Sequence, residues 1–281
     1  MATSRPDPTG PSSGPAFGWK EHENGLLYAQ FEPLERAGVP HAVFGRRGGL
    51  SQPPFDSLNT GHTVGDDPES VAANMERICQ VLGVRPEGMV TANLVHGTRV
   101  AMVGQEDAGR VIPRTDALLT ACPEVTLFLR FADCVPLLLY DRRTGAVGLG
   151  HAGWKGTLEG IGPVMVRAIQ EAFDTQPEDL IVGIGPAIGP CCYQVGPDVE
   201  HLTRQALPHL AGQVLWSEDG RTHLDLWRAN HLQFLAAGVV QVTVAGVCTA
   251  CRRDLFFSHR GDQGRTGRFG VAIRPPARRR R

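Results

Sequence analysis

The chain has 281 residues, which is long enough to bury a sizeable hydrophobic core as one large domain or two small ones. Its 28 Lys and Arg nearly balance 29 Asp and Glu, so the net charge of −1 gives no general attraction to nucleic acid or to an acidic membrane surface. The 34 glycines and 21 prolines exclude a helical bundle, and no apolar stretch reaches the roughly 20 residues that cross a bilayer.

The two ends of the chain differ in composition from the rest. Residues 1–16 are rich in Pro, Ser and Gly without an apolar segment, so we predict a disordered lead-in and no secretory signal. Residues 276–281 form a short basic tail, for which a solvated terminus is a simpler interpretation than a nucleic-acid arm. Neither a repeat nor a long linker divides residues 17–275, which we predict to be a single domain.

The secondary structure predicted in chain order is mixed. Short apolar, β-branched runs bounded by Gly, Pro or Asp predict strands at 40–44, 89–95, 125–132, 135–140, 146–149, 180–184, 239–247 and 269–273. Apolar residues three to four apart, with Pro68 near a start, predict helices at 67–82, 155–173, 197–207 and 225–237. Strands and helices do not alternate strictly, so we predict an α+β or mixed α/β fold in which helices cover the sheets.

The seven cysteines are expected to be reduced. Without a secretory signal we predict a cytoplasmic location, and an odd number of cysteines in that compartment argues against a disulfide framework. Cys248 and Cys251 form a C-x-x-C pair that lacks a second pair, and the adjacent Cys191 and Cys192 are awkward for two ligands of one ion. We predict core or reserve-thiol roles for these four, and a packing role for Cys79.

Three of the predicted strands end in a side chain that can bind a metal ion, namely His96, Cys134 and His151. The ends of buried strands can bring distant residues into one pocket. Two His and one Cys are a known ligand set for catalytic zinc, with the fourth position left for water or substrate. Each residue alone could equally be a buried histidine or cysteine of the core, so the prediction depends on all three sharing one site.

Basic residues suggest where an anion could bind. The segment 256–268 places Ser258 and His259 among three arginines, two of which are Arg260 and Arg268. Arginine forms planar, bidentate contacts with phosphate, although a solvated loop is the simpler alternative. Arg46 belongs to a second, weaker anion candidate before Gly48. Lys155 lies four residues after His151, at a predicted helix start that also favours an anion.

Together, several segments resemble the bacterial laccase-domain family. They are GRRGGLSQPPFDSLNTG (45–61), LVHG (94–97), TDALLT (115–120), ADCVPLLLYD (132–141), GHAGWKGT (150–157), IGPAIGPCCYQVG (184–196), LDLWRAN (224–230) and FFSHRGDQGRTGR (256–268). The resemblance runs in order from about residue 40 to residue 274. Members of the family have been named multicopper polyphenol oxidase, peptidoglycan editing factor and zinc-dependent purine nucleoside phosphorylase.

The resemblance implies a fold, a cofactor and substrates. The fold would be a single domain layered α/β/β/α, and the zinc ligands would be His96, Cys134 and His151. The implied activity is phosphorolysis of adenosine, inosine, guanosine and methylthioadenosine, with adenosine deamination besides. The implied partners are purine nucleosides and phosphate, and we expect a monomer or a small homo-oligomer. The chain departs from the family in having Thr63 where a His is usual, with His62 one position earlier.

The candidate residues can now be given roles. A laccase is not supported, because none of the ten histidines forms a His-x-His pair of the kind that copper clusters use. For the phosphorylase we predict the catalytic residues Asp133, Cys134, Lys155 and Arg260. We predict the substrate-binding residues Arg46, Ser258, His259 and Arg268. The alternative is a cysteine-type amide hydrolase that edits peptidoglycan precursors, in which Cys134 and His151 would act as a dyad.

Overall fold

The computed structural model describes residues 16–277. The predicted lead-in, apart from its last residue, and most of the predicted basic tail lie outside the described residues. In the described part, strands and helices mix as the sequence predicts, and the fold is a mixed α/β single domain. No helix within residues 16–277 combines the length and the apolar character that a membrane crossing needs.

Sixteen strands are found in the described part of the chain, and they form three sheets. The strands are β1 (Phe17–Glu21), β2 (Leu27–Phe31), β3 (His41–Phe44), β4 (Met89–Ala92), β5 (Val100–Met102), β6 (Val111–Ile112), β7 (Ala117–Thr120), β8 (Thr126–Phe131), β9 (Val135–Asp141), β10 (Val147–Ala152), β11 (Leu180–Ile184), β12 (Gln194–Val195), β13 (Leu215–Glu218), β14 (Arg221–Leu224), β15 (Gln241–Val244) and β16 (Phe269–Ile273). The seven-stranded sheet has the order β1-β2-β3-β16-β8-β4-β6, the six-stranded sheet has the order β15-β11-β9-β10-β7-β5, and β12-β14-β13 form a small third sheet.

Seven α-helices accompany these strands in residues 16–277. They are α1 (Glu32–Arg36), α2 (Pro68–Leu82), α3 (Trp154–Leu158), α4 (Ile161–Phe173), α5 (Pro197–Ala206), α6 (Ala211–Val214) and α7 (Leu226–Ala236). Helix α2 begins where the Asp67 carboxylate accepts a hydrogen bond from the Ser70 N–H, and it ends at Gly83 in the left-handed conformation. The single helix predicted for 155–173 is instead two, because Gly160 adopts a φ of 77° between α3 and α4.

The large sheets pack face to face with helices outside them. Apolar side chains that alternate along the strands separate into three clusters. One cluster joins the two sheets and includes Phe131 of β8 and Leu138 of β9. A second lies between the six-stranded sheet and helices α4 and α7, and a third lies between the seven-stranded sheet and α2. These clusters give the layer order α/β/β/α that the family resemblance implies.

Three of the passages from one large sheet to the other lie at the same place. They are the segments from β4 to β5, from β6 to β7 and from β8 to β9, which carry His96, Asp116 and Cys134 in turn. Strand β10 ends beside them with His151. The topology therefore brings together residues that are up to 55 positions apart in the sequence.

Candidate active site

His151 is fixed from one side by a buried carboxylate. The side chain of Asp116, which precedes β7, is fully buried and accepts a hydrogen bond from Nδ1 of His151 at 3.1 Å. The backbone N–H of His151 also donates to the Asp116 carbonyl at 2.7 Å. Because Nδ1 is engaged, the Nε2 atom of His151 is the one available to a metal ion.

The same carboxylate shapes the loop that carries His96. Asp116 accepts hydrogen bonds from the N–H groups of His96 and Gly97, both at 2.9 Å, and a longer one from Val95. His96 itself has a φ of 61°, which is uncommon for a residue other than glycine. The three N–H groups around Asp116 hold the loop in this conformation and turn the His96 ring toward Cys134.

Cys134 lies between the two histidines. Its Sγ is 3.9 Å from Nδ1 of His96, and the metal-binding atoms of His96, Cys134 and His151 all lie within 4.8 Å of one another. A Cβ atom on Gly153 would come within 2.7 Å of His96 Nδ1 and 3.2 Å of Cys134 Sγ, so only glycine leaves this space open. The predicted three-ligand cluster is therefore present in the structure as a possible metal site.

Cys134 and His151 shift each other's pKa values toward the charged forms. Burial disfavours a thiolate, but His151 and His96 outweigh it and lower the pKa of Cys134. Burial likewise disfavours a charged His151, but the Cys134 thiolate and Asp116 outweigh it and raise the pKa of that imidazole. The protein groups thus favour the thiolate form of Cys134, which is the form that binds metal. Two imidazoles and one thiolate, with an open glycine-lined side, fit a zinc ion with one free position.

The cluster opens into a cleft of about 1250 Å³, large enough for a nucleoside together with phosphate. Its walls include the metal-capable residues, the aromatic side chains of Trp154 and Tyr193, and a set of polar and basic residues. That set is His62, Asn93, Arg130, Lys155, His259, Arg260 and Arg268. Nitrogen donors and cations therefore surround a metal-capable centre in one open cavity.

Asp133 lines the cleft beside Cys134, and its carboxylate is largely used within the protein. Oδ1 accepts hydrogen bonds from the hydroxyls of Thr249 and Ser258, each at 2.7 Å, and Oδ2 accepts one from the Arg260 N–H at 2.6 Å. The residue has a φ of 88°, a second unusual backbone conformation next to the metal ligands. These contacts fasten the loop that carries Ser258, His259 and Arg260 to the β8–β9 crossing.

The predicted anion-binding residues divide between the cleft and its surroundings. Arg260, Arg268, His259 and Lys155 line the cleft. Ser258 is buried behind the cleft, where it donates to Asp133. Arg46 lies outside it, stacked 4.5 Å from the ring of Phe257 and donating to the carbonyl of Asp56. These placements argue against direct substrate contacts for Ser258 and Arg46.

Asp116 and Arg130 are among the residues of the site that sequence reasoning missed. Asp116 organises both histidines, and its only signal is its place in TDALLT directly before a strand. Arg130 lies in the cleft wall and donates to His62, to Thr91 and to the Thr60 carbonyl. A charged residue within the otherwise apolar run VTLFLRFA could have identified it, because a strand buried on both faces seldom contains arginine.

Comparison with known proteins identifies the family of the chain. The family model described as multi-copper polyphenol oxidoreductase laccase matches residues 40–275. The chain belongs to this laccase family. Within residues 16–277, two groups of side chains could hold a metal ion: one His–Cys–His cluster and one cluster of four cysteines. A multi-copper site, as the description of the family names it, would need more histidines than these two clusters provide.

Several relatives of this laccase-family chain carry the name purine nucleoside phosphorylase. It is 42% identical over 244 residues to purine nucleoside phosphorylase YlmD of Geobacillus stearothermophilus, covering 83% of this chain and 89% of that one. It is 40% identical over 234 residues to purine nucleoside phosphorylase YlmD of Bacillus subtilis, covering 80% and 84%. The crystal structure of the Geobacillus protein matches with a TM-score of 0.86 at 39% identity, over 92% of this chain and 99% of that one.

Proposed function

We propose that this chain is a zinc-dependent purine nucleoside phosphorylase. The observation that carries the proposal is the convergence of the His96–Cys134–His151 cluster with Arg260 and Arg268 in one cleft. The name of the YlmD relatives supports the same class of reaction. A zinc ion held by these residues would supply Lewis acidity and lower the pKa of a bound water.

Phosphorolysis makes separate demands on the protein. A phosphate oxygen forms a bond to ribose C1′ while the bond from C1′ to the purine nitrogen breaks, and the electron pair leaves with the base. The protein must hold the phosphate with cations and must orient the nucleoside for attack. We assign phosphate binding to Arg268 and Arg260, with His259 and Lys155 nearby, and orientation of the purine to the aromatic wall of Trp154 and Tyr193.

Arg268 is the stronger of the two arginines for this role. It is half-buried, and burial lowers its pKa while the charges of Cys134 and Asp133 act in the opposite direction. Among residues 16–277, the partners of its guanidinium are the carbonyls of Thr266 and Gly267, to which NH1 donates. The other nitrogens are therefore oriented yet available for a bidentate contact with an anion.

Asp133 is assigned a positioning role. Its carboxylate already accepts three hydrogen bonds from protein groups, so both oxygens are engaged in holding the loops together. Its loss would release Arg260 and Ser258 from the β8–β9 crossing. We therefore expect Asp133 to affect phosphate binding more than proton transfer.

The proposal extends to adenosine, inosine, guanosine and methylthioadenosine as substrates, and to conversion of adenosine and water into inosine and ammonia. A cleft of about 1250 Å³ has room for any of these purine nucleosides, and the resemblance to the family supports deamination. A cytoplasmic location and a monomeric or small homo-oligomeric state remain predictions.

The test separates phosphorolysis from hydrolysis. The zinc-loaded protein is incubated with adenosine or inosine, with and without phosphate, and the products are followed by chromatography. We expect ribose 1-phosphate and the free base only when phosphate is present, and ammonia release from adenosine without phosphate. Formation of free ribose at the same rate in both buffers would contradict the phosphorylase, and the absence of ammonia would remove the deaminase.

One observation favours a second candidate, a thiol hydrolase acting on an amide. Asp116, His151 and Cys134 follow one another as a carboxylate, an imidazole and a thiol of lowered pKa, which is the order of a nucleophilic triad. Chelation of the metal should abolish phosphorolysis but leave a thiol hydrolase active. Alkylation of the metal-loaded protein should have the reverse effect, since a coordinated thiolate is protected from the reagent.

A further inference from the structure

The four cysteines that the sequence assigned to core or reserve roles lie together. Cys191 and Cys192 follow β11, whereas Cys248 and Cys251 follow β15. The Sγ atoms of Cys191 and Cys192 are 3.5 and 3.4 Å from Sγ of Cys251, and all four sulfurs lie within 4.8 Å of one another. We name these residues the four-cysteine cluster. It shares no ligand with the His96–Cys134–His151 centre.

The adjacent pair is compatible with one ion because of the local turn. The N–H groups of Cys192 and Tyr193 both donate to the carbonyl of Gly189, at 3.0 and 2.9 Å, so the pair lies within the turn where the chain reverses direction. The turn brings both neighbouring side chains toward Cys251. Although Cys191 and Cys192 are adjacent in the sequence, the turn therefore allows both thiols to face one ion.

Backbone contacts also join the loop of Cys191 and Cys192 to the loop of Cys248 and Cys251, and one of them supports the thiolate form of Cys248. Ala187 and Cys248 form a parallel bridge, and the Thr249 N–H donates to the Ala187 carbonyl at 2.9 Å. The Gly189 N–H donates to Sγ of Cys248 at 3.2 Å. A Cβ on Gly189 would approach Trp227 to 2.8 Å and Cys248 to 3.1 Å, so a larger residue would separate the loops.

We propose that the four-cysteine cluster is a second metal site, in which a single zinc ion is bound by four thiolates in a closed tetrahedron. Bonds of about 2.3 Å to a tetrahedral zinc place neighbouring sulfurs roughly 3.8 Å apart, close to the spacing in this cluster. Four sulfur ligands are typical of zinc or iron, and a complete set leaves no position for a substrate. Cys248 is buried and Cys251 is exposed, so the ion would enter from the side of Cys251.

The site has a structural consequence for the cleft. Ile188 and Tyr193, on the loop of the first cysteine pair, line the cleft. Thr249, between the second pair, donates its hydroxyl to Asp133 at 2.7 Å. An ion that ties the two loops together would therefore brace one wall of the cleft and the carboxylate that holds Arg260.

The experiment uses a variant that removes one cysteine from each loop, Cys192→Ser with Cys251→Ser. Wild-type and variant proteins are incubated with excess Zn²⁺ under reducing conditions and desalted, and the zinc bound per chain is measured. We expect the double variant to hold one zinc ion fewer than the wild type. The matched control is Cys122→Ser, a cysteine beside Glu124 outside both clusters, which should hold the wild-type number. Equal zinc content in the wild type and the double variant would overturn the proposal.

A second measurement identifies the ligands and separates this site from the catalytic one. His96→Ala protein is stripped with a chelator and titrated with Co²⁺, which should give the intense visible absorption of a tetrahedral cobalt ion with four sulfur ligands. Adding Cys192→Ser and Cys251→Ser to His96→Ala should abolish that absorption. A weak, six-coordinate spectrum in His96→Ala protein would refute the site, as would iron or a disulfide found in the purified wild type. The catalytic centre is disabled in both samples, so its own failure cannot produce either result.

Discussion

His151 and His41 are the two histidines that the large sheets bury, and their exposed fractions are almost equal at 3% and 2%. Their neighbours give them opposite characters. His151 faces a thiol and a carboxylate, whose charges raise its pKa. His41 faces backbone groups: its Nδ1–H donates to the Val39 carbonyl and its Nε2 accepts from the Phe31 N–H, both at 2.8 Å.

Burial with neutral partners has the expected effect on His41. Removal from water lowers its pKa to about 4, although the Val39 carbonyl and Glu35 act in the other direction. A proton on Nε2 would also replace an acceptor by a donor facing the Phe31 N–H. His41 is thus a core residue that stays neutral, whereas His151 is available to a metal ion. Burial alone does not distinguish a ligand from a core histidine; the charge of the groups that face it does.

The largest effect is expected when the charged partner of His151 is removed. Cys134→Ala should abolish zinc binding at the catalytic centre and lower phosphorolysis at least about 1000-fold, because ligand and Lewis acid are lost together. Zinc content and ribose 1-phosphate formation are measured on the same samples. His41→Gln is the matched control, since it changes a buried histidine without touching the cleft. A Cys134→Ala protein with less zinc and full activity would contradict the assignment.

The carboxylate behind His151 provides the next test. Asp116→Asn keeps the shape but removes the charge, and it turns an amide donor toward the N–H groups of His96 and Gly97. Affinity for zinc should fall by up to roughly 100-fold, the range found for groups behind metal ligands. Competition with a chromophoric chelator measures it. Asp141→Asn, another fully buried aspartate that accepts from Thr144 and Thr175, should leave zinc affinity unchanged. Equal losses in both variants would indicate general destabilisation.

His41 should make folding stability depend on pH. Its pKa is about 4 in the folded chain and 6.5 in the unfolded chain, so the unfolded state binds the proton first as the pH falls. The contribution of neutral His41 to the free energy of unfolding is complete above pH 6.5 and is lost between pH 6.5 and 4. The loss reaches about 2 kcal/mol at pH 5. Denaturant unfolding at pH 8 and pH 5 should therefore show a smaller pH dependence in His41→Gln than in wild type. His201→Gln, in exposed surroundings on α5, should behave like wild type.

The sequence predicted those parts of the molecule that depend on local pattern. The strand ends identified His96, Cys134 and His151, and periodicity placed α2 and the central strands β8 and β9 within two residues of their positions. Asp116 was missed because its role consists of hydrogen bonds to residues 19 to 35 positions away, which no local pattern reveals. The four-cysteine cluster was missed for a related reason: a turn at Gly189 and the pairing of two distant loops decide where its thiols point.

Arg268 tests the remaining part of the comparison, namely whether the cations of the cleft act on substrate independently of the metal. Arg268→Gln should raise the KM for phosphate by roughly 10-fold, because a charge-assisted bidentate contact is replaced by a neutral amide. Its zinc content should stay the same, since Arg268 is not a ligand of either cluster. Arg265→Gln changes an exposed arginine of the same loop outside the cleft wall and should leave the KM unaltered. An unchanged KM for phosphate in both variants would indicate that Arg260, and not Arg268, binds the phosphate. A loss of zinc in Arg268→Gln would mean that this arginine supports the metal centre as Asp116 does.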